Sequence, residues 1–305
     1  MMGDQAEKLR ELVRRAPKVT KEEPVVEIPA EPAGPAGRTI VVTSGKGGVG
    51  KTNITVNLAL AFAKRGRKTL LFDADLGMAN VDVLMGVHPP HSIADVLKGR
   101  KTLAEVTMWV NESLGIVPGG SGVTELANLE PAMLDSIVQQ LGQLESQAEL
   151  LLVDTGAGIS RNVMNFVLAG SEILVVTTPE PTAITDAYGM LKEIDAHNPE
   201  AHVHLLINMA ESETEARSVA SKLTMIVERF LTLKVQYIGC IEKDPHVSRS
   251  VLQQSPFFLA HPQSVASRRL NLLAGSLLAQ QEEAKTASGG FFSRLVGQIF
   301  RRDRS

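Results

Sequence analysis

Gly45-Lys46-Gly47-Gly48-Val49-Gly50-Lys51-Thr52 joins a glycine-rich loop to a lysine and a hydroxyl, the Walker A pattern. Glycines let such a loop curl until its N–H groups converge on phosphate oxygens, and a helix opening at its end adds a positive pole to the same spot. Lys51 is placed to hold β- and γ-phosphates, and Thr52 to ligate magnesium. The loop follows an apolar run, Thr39–Thr43, and precedes a helical pattern, Asn53–Arg65, which is the strand-loop-helix setting the motif requires. The expected cofactors are therefore ATP and Mg2+, and the expected chemistry is phosphoryl transfer.

Acidic residues at other strand ends would complete the centre. Asp154 closes the run Leu150–Val153 and is followed by Thr155-Gly156-Ala157-Gly158, so it reads as the Walker B carboxylate that supports magnesium, directly or through water. Asp73 and Asp75 follow Thr69–Phe72 and flank a loop, Asp75-Leu76-Gly77-Met78-Ala79-Asn80, able to sense a γ-phosphate. One of them would orient the attacking water, and Asp73 is a further candidate metal ligand. Taken singly, each aspartate is equally at home capping a helix or bracing a loop. Their joint position at strand C-termini, where open α/β sheets bind ligands, favours the site.

The elements that must position these residues alternate between apolar runs and helical patterns from Arg38 to about residue 280. This predicts an α/β fold, a doubly wound and mostly parallel sheet with helices on both faces. Seven strands are expected: Thr39–Thr43, Thr69–Phe72, Gly115–Val117, Leu150–Val153, Ile173–Thr177, Val203–Ile207 and Tyr237–Ile241. Before the domain, residues 1–16 read as a short helix with Asp4 at its N-cap. Residues 17–37 carry five prolines and read as an extended tether. After it come a polar linker over 281–290 and a final segment, 291–305.

The 305-residue chain is 44% apolar and nearly charge-balanced, with 31 basic and 34 acidic residues for a net charge of -3. No chain-wide field draws it to nucleic acid, and a nucleic-acid partner is not expected. A single cysteine, Cys240, excludes a disulfide framework or an iron–sulfur site built from four cysteines of one chain, and it suits a reducing cytosol. No run approaches the roughly 18 apolar residues of a membrane span. The seven histidines lack metal-ligand spacing, and His202, His204 and Trp109 read as packing or surface residues.

The last segment is different. Phe291, Phe292, Leu295, Val296, Ile299 and Phe300 share one half of a helical wheel, and Arg294, Gln298 and Arg301 take the other. Four arginines against Asp303 give this stretch a charge of +3. Such a helix suits an anionic membrane surface; the alternative, an ordinary amphipathic element folded back onto the core, is disfavoured by the Gly289-Gly290 hinge.

Lys46, one residue after the first loop glycine, resembles the deviant Walker A signature of the MinD/ParA family of P-loop ATPases. That resemblance implies an ATP-dependent homodimer in which Lys46 reaches the partner's nucleotide. The segment Phe72 to Asp82 is similar to the family's switch I and places Asp75 as the residue that activates water. Leu152 to Gly158 resembles Walker B and switch II, and Leu206-Ile207-Asn208 resembles the strand end whose asparagine contacts adenine. The implied catalytic residues are thus Lys46, Lys51 and Asp75, and the implied activity is slow, switch-type ATP hydrolysis. Within the family, Thr177 to Tyr188, Asn208 to Ala216 and Ser255 to Ser267 resemble the flagellar-number regulators, the FlhG (FleN, YlxH) group.

Asp4-Gln5-Ala6-Glu7-Lys8-Leu9-Arg10 is similar to the motif by which that group stimulates an FlhF-type GTPase, so Asp4, Gln5, Ala6, Leu9 and Arg10 are the implied partner-binding residues. Flagellar basal-body and C-ring components are implied as further partners. The implied location is the cytoplasm, with peripheral attachment to the inner face of the cell membrane when ATP is bound. A ParA-like DNA-partition ATPase and a cell-division MinD are the alternatives. Glu242 stands where relatives commonly carry proline, which leaves the base contacts of that loop open.

Overall fold

A computed structural model of the chain describes residues 38–75, 80–119, 139–140, 142–279 and 290–301. The strands are β1 (Arg38–Ser44), β2 (Thr69–Ala74), β3 (Met108–Asn111), β4 (Leu114–Val117), β5 (Leu150–Ala157), β6 (Glu172–Thr177), β7 (His202–Ala210) and β8 (Val235–Glu242). They form one sheet in the order β3-β4-β2-β5-β1-β6-β7-β8. Every pairing is parallel except β3 with β4. All seven expected strands are present, and β2, β4 and β6 are buried along their whole length, as expected where helices cover both faces. The eighth, β3, was not expected. It is a four-residue edge strand whose Trp109 is 40% exposed, with Lys68 Nζ 5.2 Å above the indole, so burial leaves no alternation in its sequence to read.

One face of the sheet is covered by α1 (Lys51–Lys64), with α2 (Val81–Met85) at its edge. The other carries α3 (Ile93–Leu97), α4 (Leu103–Val106), α5 (Arg161–Ala169), α6 (Pro181–His197) and α7 (Glu213–Phe230). Beyond β8 come α8 (Pro245–Leu252), α9 (Phe257–Ala260) and α10 (Val265–Ala279), and the latter two join α1 on its face. Helix starts follow local chemistry: Ser160, Ser212 and Asp244 each accept a backbone N–H of the turn they open.

At the N-terminal end of the strands lies a buried ion cluster. Arg38 donates to Glu172 through Nε and through Nη2 (2.5 Å) and to the Leu277 carbonyl through Nη1 (2.6 Å), while His204 Nε2 meets Glu172 Oε2 at 3.1 Å. Burial pushes the Glu172 carboxyl up, but Arg38 and His204 outweigh it and hold the pKa at about 2. The β8 edge is irregular: Ile238 is bulged out of register with β7, and Gly239 follows at φ +135°.

The amphipathic tail forms α11 (Phe291–Arg301), and here the outcome differs from the membrane-facing expectation. Phe291, Phe292 and Leu295 are buried in the core, with Val296 and Ile299 packed beside them. The helix lies against α5, and the Phe292 ring meets Phe72 edge-on at 5.6 Å, with Phe166 on Phe72 at 6.1 Å. The apolar face has thus found an apolar seat, the second of the two uses its pattern allowed. The assigned residues Asp4, Gln5, Ala6, Leu9 and Arg10, the tether, residues 281–289 and the Phe300 side chain lie outside the described residues.

Candidate phosphate-binding site

The sheet delivers β1, β2 and β5 side by side, so the loops at their C-terminal ends converge. The Walker loop leaves β1 at Ser44 and enters α1 at Lys51, with Gly50 at the N-cap in the left-handed region (φ 85°). A side chain there would be strained, and its Cβ would lie 2.4 Å from Asn208 Nδ2. Asn208, buried at the end of β7, donates that amide to the Val49 carbonyl at 2.8 Å, so β7 braces the loop. The next residue, Met209, has φ 56°, an unusual backbone for a non-glycine residue beside a site.

Lys51 Nζ donates to Asp154 Oδ1 at 2.9 Å, and the Thr55 hydroxyl lies 2.9 Å from the same oxygen. Both charged groups are buried. Asp154 Oδ2 is buried as well and has no hydrogen-bond partner among the described residues. An orphaned carboxylate oxygen costs roughly 1–3 kcal/mol, which a bound cation or its water would recover. With Thr52 opening α1 beside it, the donor set is hard oxygen only and fits magnesium.

Asp73 sits on β2 in direct register with Asp154 on β5. Its Oδ1 accepts the Asp75 N–H (3.1 Å) and its Oδ2 the N–H groups of Asn80 (3.2 Å) and Val81 (3.3 Å), so this carboxylate braces both stems of the loop after β2. Burial, then the neighbouring charge of Asp154, pushes its pKa up to about 7. Asp75 Oδ1 lies 3.7 Å from where a Cβ on Gly156 would be, so the loops after β2 and β5 meet at Asp75. Lys46 stands apart from this cluster: its Nζ is held by Glu180 Oε2 (3.0 Å) and Thr182 Oγ1 (2.8 Å) at the start of α6, and the pair is exposed to solvent.

The structure therefore brings together Gly45, Gly47 to Thr52, Asp73, Asp75, Asp154 and Asn208, and leaves the Lys46 side chain pointing outward on Glu180. Glu242 ends β8 and pairs with Arg269 (3.4 Å). Four neighbours were missed from sequence: Thr55, Glu180, Thr182 and Met209. Thr55 had a signal, since a hydroxyl four residues after Lys51 lies on the same helix face.

A family model described as the CobQ/CobB/MinD/ParA nucleotide binding domain matches residues 40–257. The antiactivator FleN of Pseudomonas aeruginosa is 42% identical over 237 residues, covering 78% of this chain and 85% of that protein. The flagellum site-determining protein YlxH of Helicobacter pylori is 36% identical over 264 residues, covering 84% and 89%. Among solved structures, the septum site-determining protein MinD of Pyrococcus horikoshii in complex with Mg-ADP superposes with a TM-score of 0.64 at 25% identity, over 82% of this chain and 100% of that one.

Proposed function

Because the chain belongs to the MinD/ParA family of nucleotide-binding ATPases, we propose that it is an ATP-dependent dimerising switch that regulates the number or placement of flagella and attaches to the membrane through α11. In this reading Lys51 leaves Asp154 for the β- and γ-phosphates, and Asn208 keeps the loop in shape while its Oδ1 faces the base. Thr52 and Asp154 would hold magnesium, which neutralises phosphate charge when bound. Asp75 orients the attacking water, and Lys46 exchanges Glu180 for the nucleotide of a second copy.

The observation that carries the switch is the seat of α11. Phe72, which touches Phe292, directly precedes Asp73, and α5, on which α11 lies, directly follows the Asp154 to Gly158 loop. Both loops that would sense the γ-phosphate are therefore continuous with the surface that stows the tail, and ordering them by ATP would loosen that surface. Two released tails per dimer bind a membrane far better than one. Stimulation of an FlhF-type GTPase through Asp4 to Arg10, and contacts with basal-body components, belong to the same reading.

The test is sedimentation with anionic vesicles together with solution mass, for the intact chain and a chain ending at Ser288, each with ADP or ATP and with Asp75→Ala. The reading requires an ATP-dependent dimer that pellets only with the tail and is locked by Asp75→Ala. An ATP-dependent dimer that ignores vesicles and binds DNA instead would replace it with a partition function.

A further inference from the structure

The stowed tail is held by more than its apolar face. Phe291 N–H, in the first turn of α11, donates to Glu145 Oε1 at 2.8 Å, and one turn on Arg294 Nε donates to the Ala169 carbonyl at 2.8 Å. Glu145 is only 3% exposed. Thr39 Oγ1 stands at 3.5 Å from the same oxygen, and Oε2 is buried without a partner among the described residues. Burial raises the Glu145 pKa, while the Phe291 N–H, the Arg294 charge, the Phe292 N–H and Thr39 oppose it. Three of those four compensations come from α11 itself.

A buried carboxylate is tolerated only while something compensates its charge, and a helix N-terminus with an arginine one turn further on is well suited to do so. Gly290 completes the fit: a Cβ there would come within 2.7 Å of Glu145 Oε2. Glu145 thus occupies the position of an N-cap while lying 146 residues before Phe291.

We propose that Glu145 is a clasp: its carboxylate caps the first turn of α11 and decides whether the tail stays on the core, and Gly290 is the residue that lets the clasp close. Loss of the cap opens the groove to water and hydrates Glu145, so tail release and carboxylate hydration are one event. This rests on the reading that α11 leaves the core to do its work, and it adds a residue outside the nucleotide site that sets the threshold for leaving.

The experiment is amide hydrogen exchange on the full-length protein in ADP, read by mass spectrometry over residues 291–301, alongside sedimentation with vesicles rich in phosphatidylglycerol. For Glu145→Ala, exchange over 291–301 should accelerate about 10- to 100-fold, the worth of a charge-assisted hydrogen bond, with α1 and β1 keeping parental protection. The same variant should pellet with vesicles without ATP. Glu145→Gln, which retains an acceptor oxygen, should show a smaller acceleration. Unchanged exchange over 291–301 in a folded Glu145→Ala protein overturns the clasp. If exchange accelerates across the whole chain, Gly290→Ala decides, because it crowds Oε2 and removes no buried group: faster exchange confined to 291–301 supports the clasp, and parental exchange overturns it. Accelerated tail exchange with no vesicle binding in any nucleotide state leaves the clasp standing and removes the membrane reading instead.

Discussion

The two ends of the central strands each hold a buried carboxylate against a cation, and they are built to opposite ends. At the N-terminal end both Glu172 oxygens are occupied, by Arg38 from one side and His204 from the other. At the C-terminal end Asp154 spends one oxygen on Lys51 and Thr55 and leaves the other buried with no partner among the described residues. The first arrangement closes the fold; the second holds back an acceptor that the proposed magnesium would take. Buried charge alone therefore does not mark the nucleotide site; what sets Asp154 apart is its company at the strand C-termini, with Lys51, Thr55 and Asp73.

The comparison can be broken most severely at the closed end. Glu172→Ala leaves Arg38 without a counter-charge and His204 Nε2 without its partner, and should cost about 3–5 kcal/mol of stability in urea titrations, while ATP turnover per folded molecule is kept. At the open end turnover is the larger loss: Asp154→Asn, which keeps an acceptor for Lys51 and removes the repulsion with Asp73, should cut turnover by about 10²- to 10³-fold and lower the urea midpoint less than Glu172→Ala does.

Acid should separate the ends further. Glu172 has a folded pKa of about 2 against an ordinary 4.5, so its stabilisation is complete above the ordinary value and is lost as pH falls toward 2. Asp73, raised from 3.8 to about 7, runs the other way: its contribution is full below 3.8 and is lost as pH rises to about 7. In melting temperatures of nucleotide-free, magnesium-free protein, Glu172→Gln should flatten the acid limb and Asp73→Asn the limb between about pH 4 and 7. The smallest expected effect on stability is at Lys46, whose ion pair is exposed: Lys46→Ala should change it by under about 0.5 kcal/mol. If the dimer reading holds, the same change nevertheless abolishes the ATP-dependent increase in mass.

The open end was legible in the sequence because its chemistry is written in contiguous stretches. Gly45 to Thr52 is one loop, and Asp73, Asp75 and Asp154 each end an apolar run that a parallel sheet must align. The closed end was not, since Arg38, Glu172 and His204 are brought together only by strand order. The tail shows both cases at once. Its apolar face was readable from 3.6-residue spacing, but its seat is assembled from Phe72, Phe166 and Glu145, which no local pattern connects. Glu180 and Thr182 lie within the stretch Thr177 to Tyr188 that carries the family likeness, but only the fold shows that α6 starts within reach of Lys46.

The margins of the sheet constrain how copies of this chain can join. One margin is β3, four residues long and antiparallel; the other is β8, kinked by the bulge at Ile238 and the left-handed Gly239. Neither offers a flat ladder for another strand, so growth by sheet extension, the route to fibres, is blocked on both sides. In the proposed dimer, association runs instead through the loop face above the strands, where Lys46 stands. A pairing of like face with like face is satisfied at two copies and leaves nothing exposed to recruit a third.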